Sequence, residues 1–282
     1  MSLQSRLLLP ALLLTAASGP ALAADYEPPV VADMPILVDQ APEFVPVEVG
    51  SGWYLRGDIG YALSTAPAGA FTYRTFDAGV YTPGTYDIGT WSGDLSFAVG
   101  FGYRFTDMLR ADVTAENFNL RFDGTRTFAS PCPGETPGTT CSATDTAMLN
   151  SWSILANGYV DLGTVARFTP YLGAGAGVTY ANWGDATSNY TCAGAGCAGG
   201  TIARTQTGID TWRFTYALMA GFAYDISKNF KLDFGYMFRH VAGGSTFGFS
   251  APSQAAGATG VQASDPGFNQ HEIKLGLRYE IW

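Results

Sequence analysis

Apolar and polar residues alternate with a period of two along most of the chain after residue 50, the spacing of a β-strand with two unlike faces. The clearest run is "WYLRGDIGYALS", Trp53 to Ser64. There Trp53, Leu55, Ile59, Tyr61 and Leu63 are apolar, and Arg56 and Asp58 stand between them. A second run, Asp94 to Phe105, sets Leu95, Phe97, Val99, Phe101, Tyr103 and Phe105 against Ser96, Ala98, Gly100, Gly102 and Arg104. Six more follow: Arg110 to Leu120, Ser151 to Leu162, Tyr171 to Trp183, Arg213 to Ile226, Phe230 to Arg239 and His271 to Trp282. In the third run Val113 opposes Asp112, Thr114 and Glu116. Its phase slips near Asn117 or Phe118, which predicts a bulge at that point.

Eight strands of roughly 10 to 13 residues have the length that crosses a bilayer at a tilt. The connections alternate too. Long ones fall at about 65–93, 122–150, 184–211 and 241–269, and short ones at Thr106–Leu109, Gly163–Phe168 and Ser227–Asn229. Long loops at one end and tight turns at the other are the asymmetry of an outer-membrane barrel. The expected fold is therefore all-β, an eight-stranded antiparallel up-and-down transmembrane β-barrel over residues 51–282.

The two faces differ in kind. One is aromatic and nearly free of charge, and such a face in water would be an aggregation hazard, whereas in lipid it needs no partner. The other carries Arg56, Arg104, Arg110, Arg213, Lys231, Arg239, Lys274 and Arg278. Against them stand Asp58, Asp94, Asp112, Glu116, Asp161, Asp225, Asp233, Glu272 and Glu280. Ions this dense must pair or be hydrated, and an eight-stranded lumen is just wide enough for side chains to fill. A paired, plugged interior follows, with no wide aqueous pore. The "GAGAG" of Gly173 to Gly177 does not open a helix, so it lacks the context of a phosphate-binding loop. Small inward residues there would make room for large ones opposite. All six tryptophans, Trp53, Trp91, Trp152, Trp183, Trp212 and Trp282, lie at or beside strand ends, where indole suits a membrane–water interface.

The beginning of the chain reads differently. Met1 to Ala23 carries one charge, Arg6, then an apolar run and the small-x-small close Ala21-Leu22-Ala23, the pattern of a secretory signal peptide. Residues 24–50 hold five prolines and six acids without a base, which reads as a stiff, extended, acidic periplasmic linker. After residue 23, 14 Lys and Arg stand against 24 Asp and Glu, a net charge of −10 that argues against a nucleic-acid partner. The four cysteines form two close pairs, Cys132 with Cys141 and Cys192 with Cys197, both in long connections. In an exported chain these read as disulfides rather than a zinc site, which would want Cys-x-x-Cys spacing and more histidine than His240 and His271.

The ordered set of "GWYLRGDIGYAL", "FAVGFGYRF", "YLGAGAGVTY", "LMAGFAYDISKNFKLDFGYMFRH" and "IKLGLRYEIW", after a Pro-rich acidic start, resembles the opacity-protein-like outer-membrane β-barrels of Gram-negative bacteria, small porin-like surface proteins. The resemblance covers about residues 50 to 282. It implies an outer-membrane location after export, contact with lipid and lipopolysaccharide, and a final strand read by the outer-membrane insertion machinery. Lys274, Gly276, Tyr279 and Ile281 match that assembly signal, and Trp282 stands one place beyond the usual terminal aromatic.

Three functions compete. One is a structural surface protein with a role in envelope integrity and four surface loops for interaction with a ligand. The others are a small low-conductance porin and a lipid-modifying enzyme. The enzyme would need a nucleophile and a base, and only His240 with Ser245 offers a pair, with no acid placed to orient the imidazole. No catalytic residue, metal ligand or cofactor is assigned, and the sequence does not set an oligomeric state.

Overall fold

The computed structural model describes residues 52–128, 132, 139–197 and 199–281. The expected signal peptide (1–23), the linker (24–50) and Trp282 lie outside the described residues. In chain order the elements are β1 (Trp53–Pro67), β2 (Thr72–Asp77), β3 (Val80–Thr85), β4 (Ile88–Arg104), β5 (Leu109–Phe128), β6 (Thr140–Asp161), β7 (Phe168–Trp183), β8 (Ala186–Ala193), β9 (Thr201–Gln206), β10 (Thr211–Asp225), β11 (Phe230–Gly248), α1 (Ala251–Ala255) and β12 (Val261–Glu280).

Eight long strands, β1, β4, β5, β6, β7, β10, β11 and β12, pair antiparallel in that order. The last returns to the first, from Tyr54 opposite Glu280 to Pro67 opposite Phe268. The sheet is thus a closed barrel, and no row of unpaired backbone groups is left facing lipid. Short turns at one end are fixed locally. Met108 and Leu109 N–H groups donate to Thr106 Oγ1, and those of Asn229 and Phe230 to Ser227 Oγ.

The strands run well past the predicted ends at the other, long-loop end. β5, β6 and β12 have 20, 22 and 20 residues. At ~3.4 Å per residue and a tilt near 40°, twenty residues rise about 50 Å, roughly twice the apolar band of an outer-membrane barrel. Much of the sequence read as loop is therefore continued barrel wall, and it is joined by the hairpins β2–β3 and β8–β9. Alternation had continued there, in Phe122, Gly124 and Arg126 and again in Ala143, Asp145 and Ala147, but with the polar and apolar faces exchanged.

The expected bulge at Asn117 or Phe118 is a second correction. β5 and β6 stay in unbroken register from Leu109 opposite Val160 to Phe128 opposite Cys141. The irregularity lies in the other neighbour, β4, between Gly93 and Ser96, which face Leu120 and Phe118. Within β5 the inward set simply runs on: Asp112, Thr114, Glu116, Phe118, Leu120 and Phe122 are all buried. The slip in the sequence pattern is a change in the chemistry of the lumen, not in the geometry of the strand.

Outside, the barrel wears a belt of exposed apolar side chains from Trp53, Phe101 and Phe168 near the short turns to Leu63, Trp152 and Trp212 higher up. Phe97 and Val99 are 56 % and 66 % exposed while Arg239 is 0 % exposed, so the molecule is turned inside out relative to a water-soluble sandwich. Among the described residues no helix is long and apolar enough to cross a membrane; the strands make the crossing.

Candidate functional site

The interior has two storeys. The lower one, level with the apolar belt, is ionic. Arg56 lies 2.9 Å from Asp58 and 3.1 Å from Asp112, and donates to Tyr159 Oη at 2.9 Å. Arg110 pairs with Asp161 at 3.1 Å, its guanidinium 4.0 Å above the Tyr159 ring. Arg239 reaches both Glu116 and Glu272, and Lys274 reaches Glu116 at 2.7 Å. Arg278 meets Asp233 at 3.3 Å, and Arg104 meets Glu280 at 2.7 Å at the short-turn mouth, where Lys231 also pairs with Asp225. Arg213 pairs with Asp265 at 2.6 Å, a partner that sequence reading had left in a loop. Nothing is described of the Asp94 side chain.

Glycines make this crowding feasible. A Cβ on Gly60 would collide with the Glu272 carboxylate, one on Gly276 with Asp58, and one on Gly175 with Asn157. One cavity of about 20 Å³ lies among Arg56, Glu116, Asn157, Met237 and Lys274. That is room for a water molecule or two, not a pathway.

The upper storey is apolar. Phe71, Trp91, Phe118, Phe122, Trp183 and Phe268 pack together across the barrel, with Phe71 4.4 Å from Phe122 and Trp91 5.1 Å from Phe268. Trp91 and Trp183 are therefore core residues and not interfacial anchors, which corrects the reading from strand ends. Trp53, Trp152 and Trp212 do face outward.

Above this layer the buried Arg126 guanidinium is wrapped in aromatic rings. Arg126 pairs with Asp145 at 2.9 Å, lies 4.7 Å above the Tyr73 ring, and donates to Tyr190 Oη at 3.1 Å. The Tyr86 hydroxyl donates to Asp145 at 2.6 Å. Burial, reinforced by the Asp145 charge, pushes that hydroxyl well above the usual tyrosine range. Arg126 and Asp145 went unnoticed in the sequence because both lie in segments read as loop. Still farther out, Cys132 and Cys141 are disulfide-bonded with Cα atoms 5.0 Å apart, and Cys192 and Cys197 likewise at 5.8 Å.

His240 and Ser245 stand five residues apart on β11, which puts their side chains on opposite faces about 17 Å apart along the strand. His240 Nδ1 is 2.8 Å from Asn269 Oδ1, and the Ser245 carbonyl accepts from Arg213. His271 Nδ1 lies 2.5 Å from the Tyr236 hydroxyl. Among the described residues no three His, Cys, Asp or Glu side chains converge as a metal would require. Of the four described positions in the last-strand pattern, Lys274 and Gly276 face the lumen. Tyr279 faces outward, its ring centroid 4.9 Å from that of Phe230, and the Ile281 N–H donates to the Trp53 carbonyl at 2.8 Å.

An uncharacterized protein of Brucella abortus (strain 2308) is 38 % identical over 267 residues, covering 87 % of this chain and 91 % of its own length. The chain belongs to the family of that Brucella protein. Its fold is the small, opacity-protein-like outer-membrane β-barrel. No family model matches the sequence. A more distant relative from Rickettsia bellii, 24 % identical over 229 residues, covers 81 % of this chain and 88 % of its own and carries a name that proposes an adhesin. Among solved structures, Neisserial surface protein A aligns with 82 % of this chain and 98 % of its own at 16 % identity and a TM-score of 0.42. Closure, the apolar belt and the paired lumen of this family member are read from its own chain. Together they make it an integral protein of the bacterial outer membrane.

Proposed function

We propose that this barrel is a structural surface protein of the outer membrane, which stabilises the envelope and displays four loop assemblies to ligands outside, and that it does not conduct. One observation supports the reading: ion pairs cross the lower bore, among them Arg56 with Asp112 and Arg239 with Glu116, and an aromatic layer crosses the bore above them. A porin would need a continuous wet path, and a lipid-modifying enzyme would need a nucleophile and base in contact, which His240 and Ser245 are not. The name carried by the Rickettsia bellii relative agrees with display of the loops. We further propose that the insertion machinery reads Lys274, Gly276, Tyr279 and Ile281 on the closing strand, together with Trp282.

The test is electrical and cellular. The purified protein, shown to be folded by its shift in gel mobility on boiling, gives no conductance steps above lipid background in a planar bilayer. Cells lacking it take up a hydrophobic dye faster, and restoring the protein reverses this. Stepwise conductance in the folded preparation refutes the closed lumen; unchanged dye uptake refutes the envelope role.

A further inference from the structure

The two disulfides sit side by side. On β6 and β8, Cys141 and Cys192 are direct cross-strand partners in an antiparallel ladder. Residues opposite each other in such a ladder have Cα atoms about 4.5 to 5.5 Å apart, inside the range a disulfide spans. Both side chains lie on one face, since Cys132, Cys141, Ala143 and Tyr190 form a single buried cluster against which Cys192 packs. The two bonds differ in access. Cys132 and Cys141 are 3 % and 1 % exposed, whereas Cys192 and Cys197 are half-buried. Cys192 also lies one residue past the end of the β8–β9 pairing, which stops at Thr191 opposite Thr201, so its outer side has no ladder partner among the described residues.

We propose that these four cysteines form a thiol-exchange site whose rearrangement is catalysed by a low-molecular-weight thiol arriving from outside the cell. The thiolate attacks Cys197 Sγ; the Cys192–Cys197 bond breaks, a mixed disulfide forms on Cys197, and Cys192 leaves as a thiolate. Cys192 then attacks Cys141 Sγ across the ladder. The Cys141–Cys192 bond forms, the Cys132–Cys141 bond breaks, and Cys132 leaves as a thiolate. Finally Cys132 attacks Cys197 and releases the small thiol, so that no net oxidation or reduction occurs. The result replaces two local clips, of sequence separation 9 and 5, with two bonds that tie the second surface loop to the third. Longer closed loops constrain the chain more. The exchange would thus stiffen the exposed rim, independently of whether the barrel conducts or protects the envelope.

Trypsin reads the connectivity directly. Cutting after Arg126, Arg167 and Arg204 places Cys132 with Cys141 on one peptide and Cys192 with Cys197 on another. The folded protein in detergent micelles is incubated with reduced glutathione, blocked with N-ethylmaleimide, digested and weighed. The expected result is loss of the two separate peptides and gain of one species with their summed mass. A C197S variant, which leaves Cys192 free, should give the linked peptides without glutathione, with Cys132 carrying the label. Peptides that stay separate after glutathione, with or without a glutathione adduct on Cys197, overturn the proposal. Label on Cys192 beside an intact Cys132–Cys141 bond in C197S overturns it equally. Should C197S fail to fold, the glutathione experiment on the unaltered protein decides alone.

Discussion

Removing the Arg239 guanidinium is the sharpest perturbation of the ionic storey. The cluster around it is neutral: Arg239 and Lys274 face Glu116 and Glu272, all buried or nearly so. Arg239→Met keeps the volume and deletes the charge, leaving two carboxylates and one ammonium in a low-dielectric bore. Breaking a buried pair in this way costs about 3–5 kcal/mol. The structure supplies an independent ceiling. The variant can shed its surplus charge by taking up a proton on one glutamate, at ~1.4 kcal/mol per pH unit above an ordinary carboxyl value of about 4.3, hence about 4 kcal/mol at pH 7. At pH 5 the same uptake costs only about 1 kcal/mol. The sign is fixed by the proton count: between these pH values the folded variant holds a proton that the unfolded chain does not, so its deficit shrinks as pH falls. Adding Glu272→Gln restores neutrality and should recover most of the loss, so the two changes are strongly non-additive. Urea unfolding in phospholipid vesicles, followed by loss of the heat-modifiable band at pH 7 and pH 5, measures all four corners. A deficit at pH 7 below about 0.5 kcal/mol, the scatter of an ordinary additive pair, or one that does not change with pH, refutes the paired lumen.

Two other outcomes follow from the same interior. Brominated lipid should quench fluorescence from Trp152 and Trp212, so W152F and W212F lower the quenched fraction while W91F and W183F, which remove unquenched emission, raise it; the reverse would put the upper indoles outside. Arg126→Met strands Asp145 beneath Tyr86 at a cost of about 3–5 kcal/mol, but above the membrane. The variant should keep its heat-modifiable band and lose resistance to chymotrypsin at the surface end, and equal proteolysis of variant and parent would show that the knot holds nothing.

The sequence displayed the barrel because lipid imposes a rule that periodicity can read. Ile59, Phe97, Val113, Leu218 and Leu275 must face hydrocarbon, so their neighbours Asp58, Ala98, Asp112, Ala217 and Lys274 must face inward. Parity then places Arg56, Glu116, Arg239 and Arg278 in the bore without any tertiary information. Which cation meets which anion was not legible. Arg56 pairs with Asp58 two residues away and with Asp112 across the barrel, and such choices depend on register between strands that local pattern does not fix. Trp91 and Trp183 were misread for a related reason: position near a predicted strand end says nothing about face once the strand continues.

The continuation itself has a physical logic. Through the bilayer the outer face meets lipid and the inner face meets the lumen, so the two faces of one strand sit in unlike surroundings. Where lipid claims the outer face, the inner face is polar, and charge needs partners. Above the headgroups the outer face meets water, and the constraint reverses. Asn117, Asn119, Arg121 and Asp123 now point outward on β5, freeing Phe118, Leu120 and Phe122 to build an ordinary core inside. On β6 the same exchange sets outward Ile154 and Trp152 below outward Asn150, and inward Ser153 and Ser151 below inward Leu149. The point where the two faces trade polarity marks the membrane surface on each strand. It also makes the part of the barrel above that level resemble a small water-soluble β-domain mounted on a membrane stave, with the Arg126 knot and both disulfides inside its own folded wall.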